Sequence, residues 1–595
     1  MLDDEISVEE VLNASSNDEN KGYIGVTPAI FSCLPVIWLT FVTQIMNLVF
    51  CSDNLAYPIL WCYNKLVVLF KKGARLLCGN YRGLSIGDTL GKVYAKVMGN
   101  RLKLWMHIDP SQAGGQEERN CNEHIMALRL LVDYARNQKK KLFILFVDFS
   151  KAYDRVPRKT LFEILKRLGC GKRFLRALMA VYRHTLNILN SEIIKATIGV
   201  KQGGPMSCIL FIIYLNVMVL MIKVLGNDSF LGDLHLMVLM DDTVLLGSTR
   251  EMIIKKFEVL MMFCEQYGMM VNELKTNLLV INGNAKDRED FICKGVTVKH
   301  AKSYIYLGSP FTEDGKINSI LCMHLKSRMA DLNKFKIFCK VNVTMPYIYK
   351  KKVLQAAIIS SLLYGSESWF DAKLKMLEQM YYGALKALLG VRETTRTDVI
   401  LLETGMPTVK ELIRMRTIAF VKKNVRADKD STPLAKAFKM CEDKGTSGYR
   451  YLKRLLDSPQ IVCLQETKQN FERETGTKAV TYKEMNPGLK VHKVYLTDKY
   501  IDERKRGVFT KFRVSSHSLK VETGRWSRIE RENRLCDCER GVQDETHVVF
   551  DCERTETIRA KYGVNRGVYG SIGELMEQHD MDQLVNFVDE CMKEF

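Results

Sequence analysis

Residues 236–246 read LMVLMDDTVLL, with two adjacent carboxylates, Asp241 and Asp242, in the middle of an apolar or uncharged run. Burying one unpaired carboxylate is costly, and two side by side also repel. The pattern predicts a hairpin with the aspartates at its tip. A second β-rich run, FILFVDF (143–149), brings in Asp148 near its end. Adjacent strands could gather the three carboxylates, and such a trio is unstable without cations. With two Mg²⁺ ions it forms a site for in-line phosphoryl transfer, one ion activating the attacking hydroxyl and the other the leaving pyrophosphate. An isolated aspartate pair would instead suggest an exposed loop, with Asp148 capping a turn; the residues around these three reverse that preference.

The intervening segments alternate apolar runs with basic loops and glycine-containing turns, an α+β pattern. DRVPRKTLFEILKRLG (154–169) predicts a helix with Asp154 as its cap, Pro157 in the first turn and Gly169 as its stop. GVKQGGPMSCILFIIYLNVMVLMIKVL (199–225) is a glycine-rich turn leading into a long apolar helix, and 249–268 predicts an amphipathic one. Residues 22–52 carry no charge, enough length to cross a bilayer, but Pro28, Pro35, Thr40, Thr43, Gln44 and Asn47 favour a buried helix over a membrane span. Lys and Arg exceed Asp and Glu by 88 to 68, a net charge of +20, which favours a polyanionic partner such as nucleic acid. The 17 cysteines lack framework spacing, which argues for reduced thiols and a nuclear or cytoplasmic location.

Five segments occur in one order: FVDFSKAYDRVPR (146–158), GVKQGGPMS (199–207), LMDDTVLL (239–246), VNELKTNLLVI (271–281) and YLGSPFTEDG (306–315). The set resembles the reverse transcriptases of non-LTR (LINE-like) retrotransposons. Upstream, 71–102 and SQAGGQEERNCNEHI (111–125) resemble their two fingers motifs, and LLYGSESW (362–369) resembles their thumb-side region. The resemblance implies a right-hand polymerase of fingers, palm and thumb that extends a DNA primer on an RNA template with dNTPs. It implies that Asp148, Asp241 and Asp242 ligate two Mg²⁺ ions. Lys275 would serve as proton donor to pyrophosphate or as a phosphate contact, and Arg119 would hold the triphosphate. Phe149, Tyr153, Gln202 and Gly203 would line the nucleotide, Tyr153 as the ring that excludes a 2′-hydroxyl. Asp148 and Asp154 are also spaced like the paired carboxylates of RNA-dependent RNA polymerases, but helix capping accounts for Asp154.

The chain departs from the family pattern at Leu239 and Met240, where an aromatic and a small residue are usual. It departs again at Gly115 and Gln116 (usually an aromatic and an arginine), at Gly83 and at Cys208 (usually prolines). No metal ligand is lost, so a raised KM for dNTP, partly rescued by Gln116→Arg, is the expected consequence. A non-enzymatic derivative that binds nucleic acid is the alternative. No endonuclease segment is evident in the roughly thirty residues upstream, so a primer would come from another nuclease. Near the C-terminus, Cys536, Cys538, His547 and Cys552 suit a tetrahedral, structural Zn²⁺ site, in a segment resembling the zinc knuckle that ends many such elements. The tight Cys-x-Cys pair is unusual for that module.

The expected organisation is an acidic, disordered lead-in (1–30), fingers and palm (31–320), a helical thumb (321–425), a loop-rich linker (426–490) and a Cys/His module (491–595). No membrane partner is expected.

Overall fold

Leu142–Val147 is apolar at all six positions and buried at all six, the signature of a central strand covered on both faces. In the computed structural model, which describes residues 2–15, 22, 25–426, 429–458, 462–497 and 501–595, this strand lies between two partners. The strands are β1 (Tyr63–Phe70), β2 (Tyr81–Gly87), β3 (Leu142–Val147), β4 (Leu186–Leu189), β5 (Glu192–Lys195), β6 (Leu236–Leu239), β7 (Asp242–Gly247), β8 (Asn277–Ile281), β9 (Phe291–Cys293), β10 (Val296–His300), β11 (Ser303–Tyr306) and β12 (Ser309–Thr312). One sheet has the order β6-β7-β3-β8-β10-β9, a second β2-β1-β4-β5, and β11 and β12 form a hairpin.

The chain forms two compact units: Met1–Gly315 with Asn424–Tyr449, and Lys316–Lys423 with Arg450–Phe595. In the first, the helix Ser207–Lys223 is apolar nearly all round and buries Phe211, Tyr214, Leu215 and Met218 in the core beside β3. The helix Arg250–Tyr267 starts at Thr249, whose hydroxyl accepts from Met252 N–H, and stops at Gly268 with φ +72°. Both follow the sequence pattern. The charge-free segment yields the helix Val36–Phe50, with Leu39, Met46 and Phe50 in the core and Val36, Ile37 and Leu48 exposed. Among the described residues, no helix is long and apolar enough to cross a membrane.

Four expectations need correction. Residues 2–15 of the acidic lead-in are ordered: Val8–Ser15 is helical, and Leu2, Ile6 and Val11 are buried. Arg101 holds them by donating to the carbonyls of Leu2, Asp4 and Glu5 and to the Glu10 carboxylate, the last at 2.6 Å. Residues 16–21, 23 and 24 of that lead-in lie outside the described residues, and its end enters the 3-10 helix Pro28–Cys33, where Pro28 is buried. The 426–490 segment is mostly helical, over Pro433–Asp443, Ser447–Leu456, Gln465–Glu472 and Thr477–Met485. Its first part returns to the first unit, where Ser447 donates to Asp133 and Lys436 pairs with Asp233. Its described loops, such as 444–446 and 473–476, are short turns between helices, which is why their Gly, Thr and charged content suggested a linker. The thumb and C-terminal segments are not separate modules: Leu385 and Leu388 share one core with Phe509, Phe512, Leu584 and Phe587. Finally, Asp154 lies inside the short helix Ala152–Arg155, and the longer helix Arg158–Arg167 begins after Pro157, so Asp154 does not cap it.

Candidate active site

The antiparallel register of β3 and β7 ends at Val147 opposite Thr243, which sets Asp148 across from Asp242. Leu239 pairs with Asp242 in the β6–β7 hairpin, leaving Met240 and Asp241 as the turn. The aspartate pair therefore sits at the end of the six-stranded sheet, as its sequence pattern predicts. Asp148 is fixed by its main chain, donating to Thr276 Oγ1 at 3.3 Å and accepting from Asn272 N–H at 2.7 Å. Lys275, on the same loop, reaches back to both Asp148 oxygens at 3.1 and 3.2 Å. Tyr304 donates to the Lys275 carbonyl at 3.2 Å and stacks on Phe146, centroids 4.1 Å apart.

Electrostatically Asp241 and Asp242 are under-compensated. Burial, then the Asp241 and Asp148 charges, push Asp242 up to about 6, against the pull of Lys275. Asp241 is also raised, first by burial and then by Asp148, while Arg82 and Lys71 pull it down. A cluster of hard oxygen donors that resists ionising fully is what a hard divalent cation relieves, so these residues fit Mg²⁺.

Tyr153 lies close enough to Asp241 to feel its charge and stacks on Phe211, centroids 4.3 Å apart. Gln202 donates from its amide to Asp154 Oδ1 at 2.8 Å, and its carbonyl accepts from Ser85 N–H at 2.8 Å. Asp154 is thus the acceptor that orients Gln202, the role it takes in place of helix capping. Gly203 has φ +93° where the turn meets Ser85, a conformation that strains any side-chain-bearing residue.

Two expected nucleotide contacts are engaged elsewhere. The Phe149 ring is buried in the core and offers only its main chain. Arg119 is tied to Glu123 at 2.6 Å, with both side chains buried, and donates to the Pro110 carbonyl at 3.2 Å. The Gln116 amide donates to the Gln112 carbonyl. Glu118 pairs with Arg426 and Lys429, each at 3.2 Å, so the negative charge beside Gln116 is offset from far along the chain. Arg82 and Lys71, beside the β1–β2 hairpin, were missed. Their signal was the basic flank of a strand pair whose residues could not be aimed without the fold.

In the second unit, Cys536, Cys538, His547 and Cys552 each bring one donor atom, all within 4.8 Å of one another. The Sγ atoms of Cys536 and Cys552, and of Cys538 and Cys552, are 3.7 Å apart, and Cys538 Sγ is 3.3 Å from His547 Nε2. Metal–sulfur bonds of about 2.3 Å give a tetrahedral edge of about 3.8 Å, so the four can hold a metal ion. The tight Cys-x-Cys spacing does not keep them apart.

The family described as "Reverse transcriptase (RNA-dependent DNA polymerase)" matches residues 70–311. The chain is 24% identical over 380 residues to the Pol polyprotein of the type-2 retrotransposable element R2DM of Drosophila melanogaster, covering 60% of this chain and 35% of that protein. It is 26% identical over 255 residues to the Pol polyprotein of the type-1 element R2 of Nasonia vitripennis, covering 40% and 25%. The chain thus spans about a third or less of these relatives' lengths. Among solved structures, a Candida albicans telomerase in complex with a telomeric RNA fragment matches 73% of this chain and 69% of its own, at 12% identity and a TM-score of 0.35. Residues 70–311, which hold the six-stranded sheet, thus form a reverse transcriptase domain, and the chain is homologous to the Pol polyproteins of R2 retrotransposable elements.

Proposed function

We propose that the chain is an RNA-directed DNA polymerase that extends a DNA primer on an RNA template with dNTPs. The observation that carries this reading is the register that sets Asp148 across from Asp242, with Asp241 in the adjoining turn. Asp148, Asp241 and Asp242 would hold Mg²⁺, which when bound supplies charge neutralisation at the attacking and leaving oxygens. Lys275 stands beside Asp148, where its ammonium can meet a departing pyrophosphate. Arg82, in β2, and Lys71, just after β1, bring positive charge near Asp241, where guanidinium and ammonium groups suit a triphosphate. The stacked Tyr153–Phe211 pair presents a flat, rigid wall to the sugar, and Gln202 is held in one orientation by Asp154. The surplus of basic residues supports a polyanionic template–primer, held by contacts that salt would weaken. At Cys536, Cys538, His547 and Cys552, the three-sulfur, one-nitrogen set favours Zn²⁺.

The test is primer extension on an RNA template with Mg²⁺ and dNTPs, comparing the full chain with Asp241→Ala. Extension by the wild type, lost in the variant, is expected. Equal signals from the two would overturn the reading, and template binding without extension would point to a binding protein.

A further inference from the structure

We propose that Gln112 is a positioning residue that clamps the turn carrying Asp241, so that metal affinity and turnover depend on its side-chain amide. The proposal rests on the polymerase reading of the same site. Met240 is the first residue of the two-residue turn and has φ +59°, where a residue other than glycine is strained. Such a turn persists only when its surroundings over-determine it. Gln112 supplies that constraint from another part of the chain. Its Oε1 accepts from Met240 N–H at 2.9 Å and from Gly114 N–H at 2.8 Å, and its Nε2 faces the Met240 carbonyl at 3.4 Å. The residue is only 1% exposed, so water cannot substitute for these bonds.

The main chain around Gln112 is held to the same hairpin. Val238 N–H donates to the Ser111 carbonyl and Ala113 N–H to the Val238 carbonyl, both at 2.8 Å. The approach is close enough that a Cβ at Gly114 would fall 2.5 Å from Met240 N. Segment 111–114 therefore acts as a short extra strand against β6, and Gln112 reaches from it to the residue before Asp241. Asp242 is held independently by its pairing within the hairpin and faces Asp148. The geometry of Asp241 depends on Met240, and Met240 depends on Gln112.

The discriminating pair of variants is Gln112→Met and Gln112→Glu in the full chain. Methionine matches the glutamine's length and fills its space but accepts nothing useful; glutamate keeps an acceptor oxygen for both N–H groups. A packing role favours methionine, and a clamp favours glutamate. Mn²⁺ binding is followed by electron paramagnetic resonance, with Asp241→Asn identifying the signal that belongs to this site. Gln112→Met is expected to weaken that site about tenfold and to lower kcat of primer extension about 10- to 100-fold, the cost of a displacement near 1 Å. The KM for dNTP should stay within about twofold, with Gln112→Glu intermediate in metal affinity and kcat. A Gln112→Met protein that matches wild type in Mn²⁺ affinity, or that outperforms Gln112→Glu, would overturn the clamp. If the wild type extends no primer, the polymerase reading fails, while the Mn²⁺ comparison still decides the clamp.

Discussion

Glu403 and Arg513 form an ion pair with 0% and 2% of their side chains exposed, inside the core of the second unit. The guanidinium is bidentate, Nε to Oε1 at 2.7 Å and Nη2 to Oε2 at 3.1 Å. Tyr482 also donates to Oε2, at 2.8 Å. Burial raises the Glu403 carboxyl, but Arg513 and Tyr482 outweigh it and hold the group below its usual range. Replacing Glu403 with Gln keeps the shape and one acceptor but strands a buried guanidinium. Breaking such a pair on one side costs about 3–5 kcal/mol. At about 1.4 kcal/mol per tenfold, amide exchange in the helices Thr397–Thr404 and Glu503–Arg513 should accelerate at least about 100-fold if they open by sub-global unfolding. Hydrogen–deuterium exchange on the full chain reads this without isolating a fragment. Removing both charges (Glu403→Leu, Arg513→Met), with Tyr482→Phe to avoid an orphaned hydroxyl, should return exchange to within about 1–2 kcal/mol of wild type. The sign with pH follows from the depressed carboxyl. The pair's contribution is complete above the unfolded glutamate value of about 4.3 and is lost as pH falls through the lower folded value. Between pH 6 and 8 the gap between wild type and Glu403→Gln should therefore be flat. Exchange in Glu403→Gln within threefold of wild type would refute the reasoning.

At the nucleotide site, Arg82→Ala should raise the KM for dNTP about tenfold in steady-state primer extension, whereas Arg119→Ala, which leaves Glu123 buried and unpaired, should lower thermal stability instead. The reverse assignment would show that the β1–β2 flank does not face the triphosphate. In the second unit, Co²⁺ should give the intense visible bands of a tetrahedral thiolate site, weakened in Cys552→Ser. An octahedral spectrum, or one unaffected by the variant, would remove the Cys/His cluster as the site.

What could be read from the sequence was whatever depends on neighbours along the chain. The apolar run around Asp241 and Asp242, the β-rich run ending at Asp148 and the all-round apolar helix at 207–223 each declare their burial through local periodicity, because strand and helix geometry repeat every 2 or 3.6 residues. The four side chains of the C-terminal Cys/His cluster were legible because they fall within seventeen residues. The same logic misled where local chemistry had a distant competitor. Asp154 has a good capping side chain, but Gln202, 48 residues on, takes its carboxylate. Arg119 carries the right charge for a phosphate, but the helical i,i+4 neighbour Glu123 takes it. Only tertiary structure decided that Arg82 and Lys71 come near enough to pull the Asp241 carboxyl down, that Lys429 offsets Glu118, and that Gln112 grips a turn 128 residues away. Those outcomes depend on which strands pair and in what register, and pairing is set by burial summed over the whole sheet rather than by any one segment.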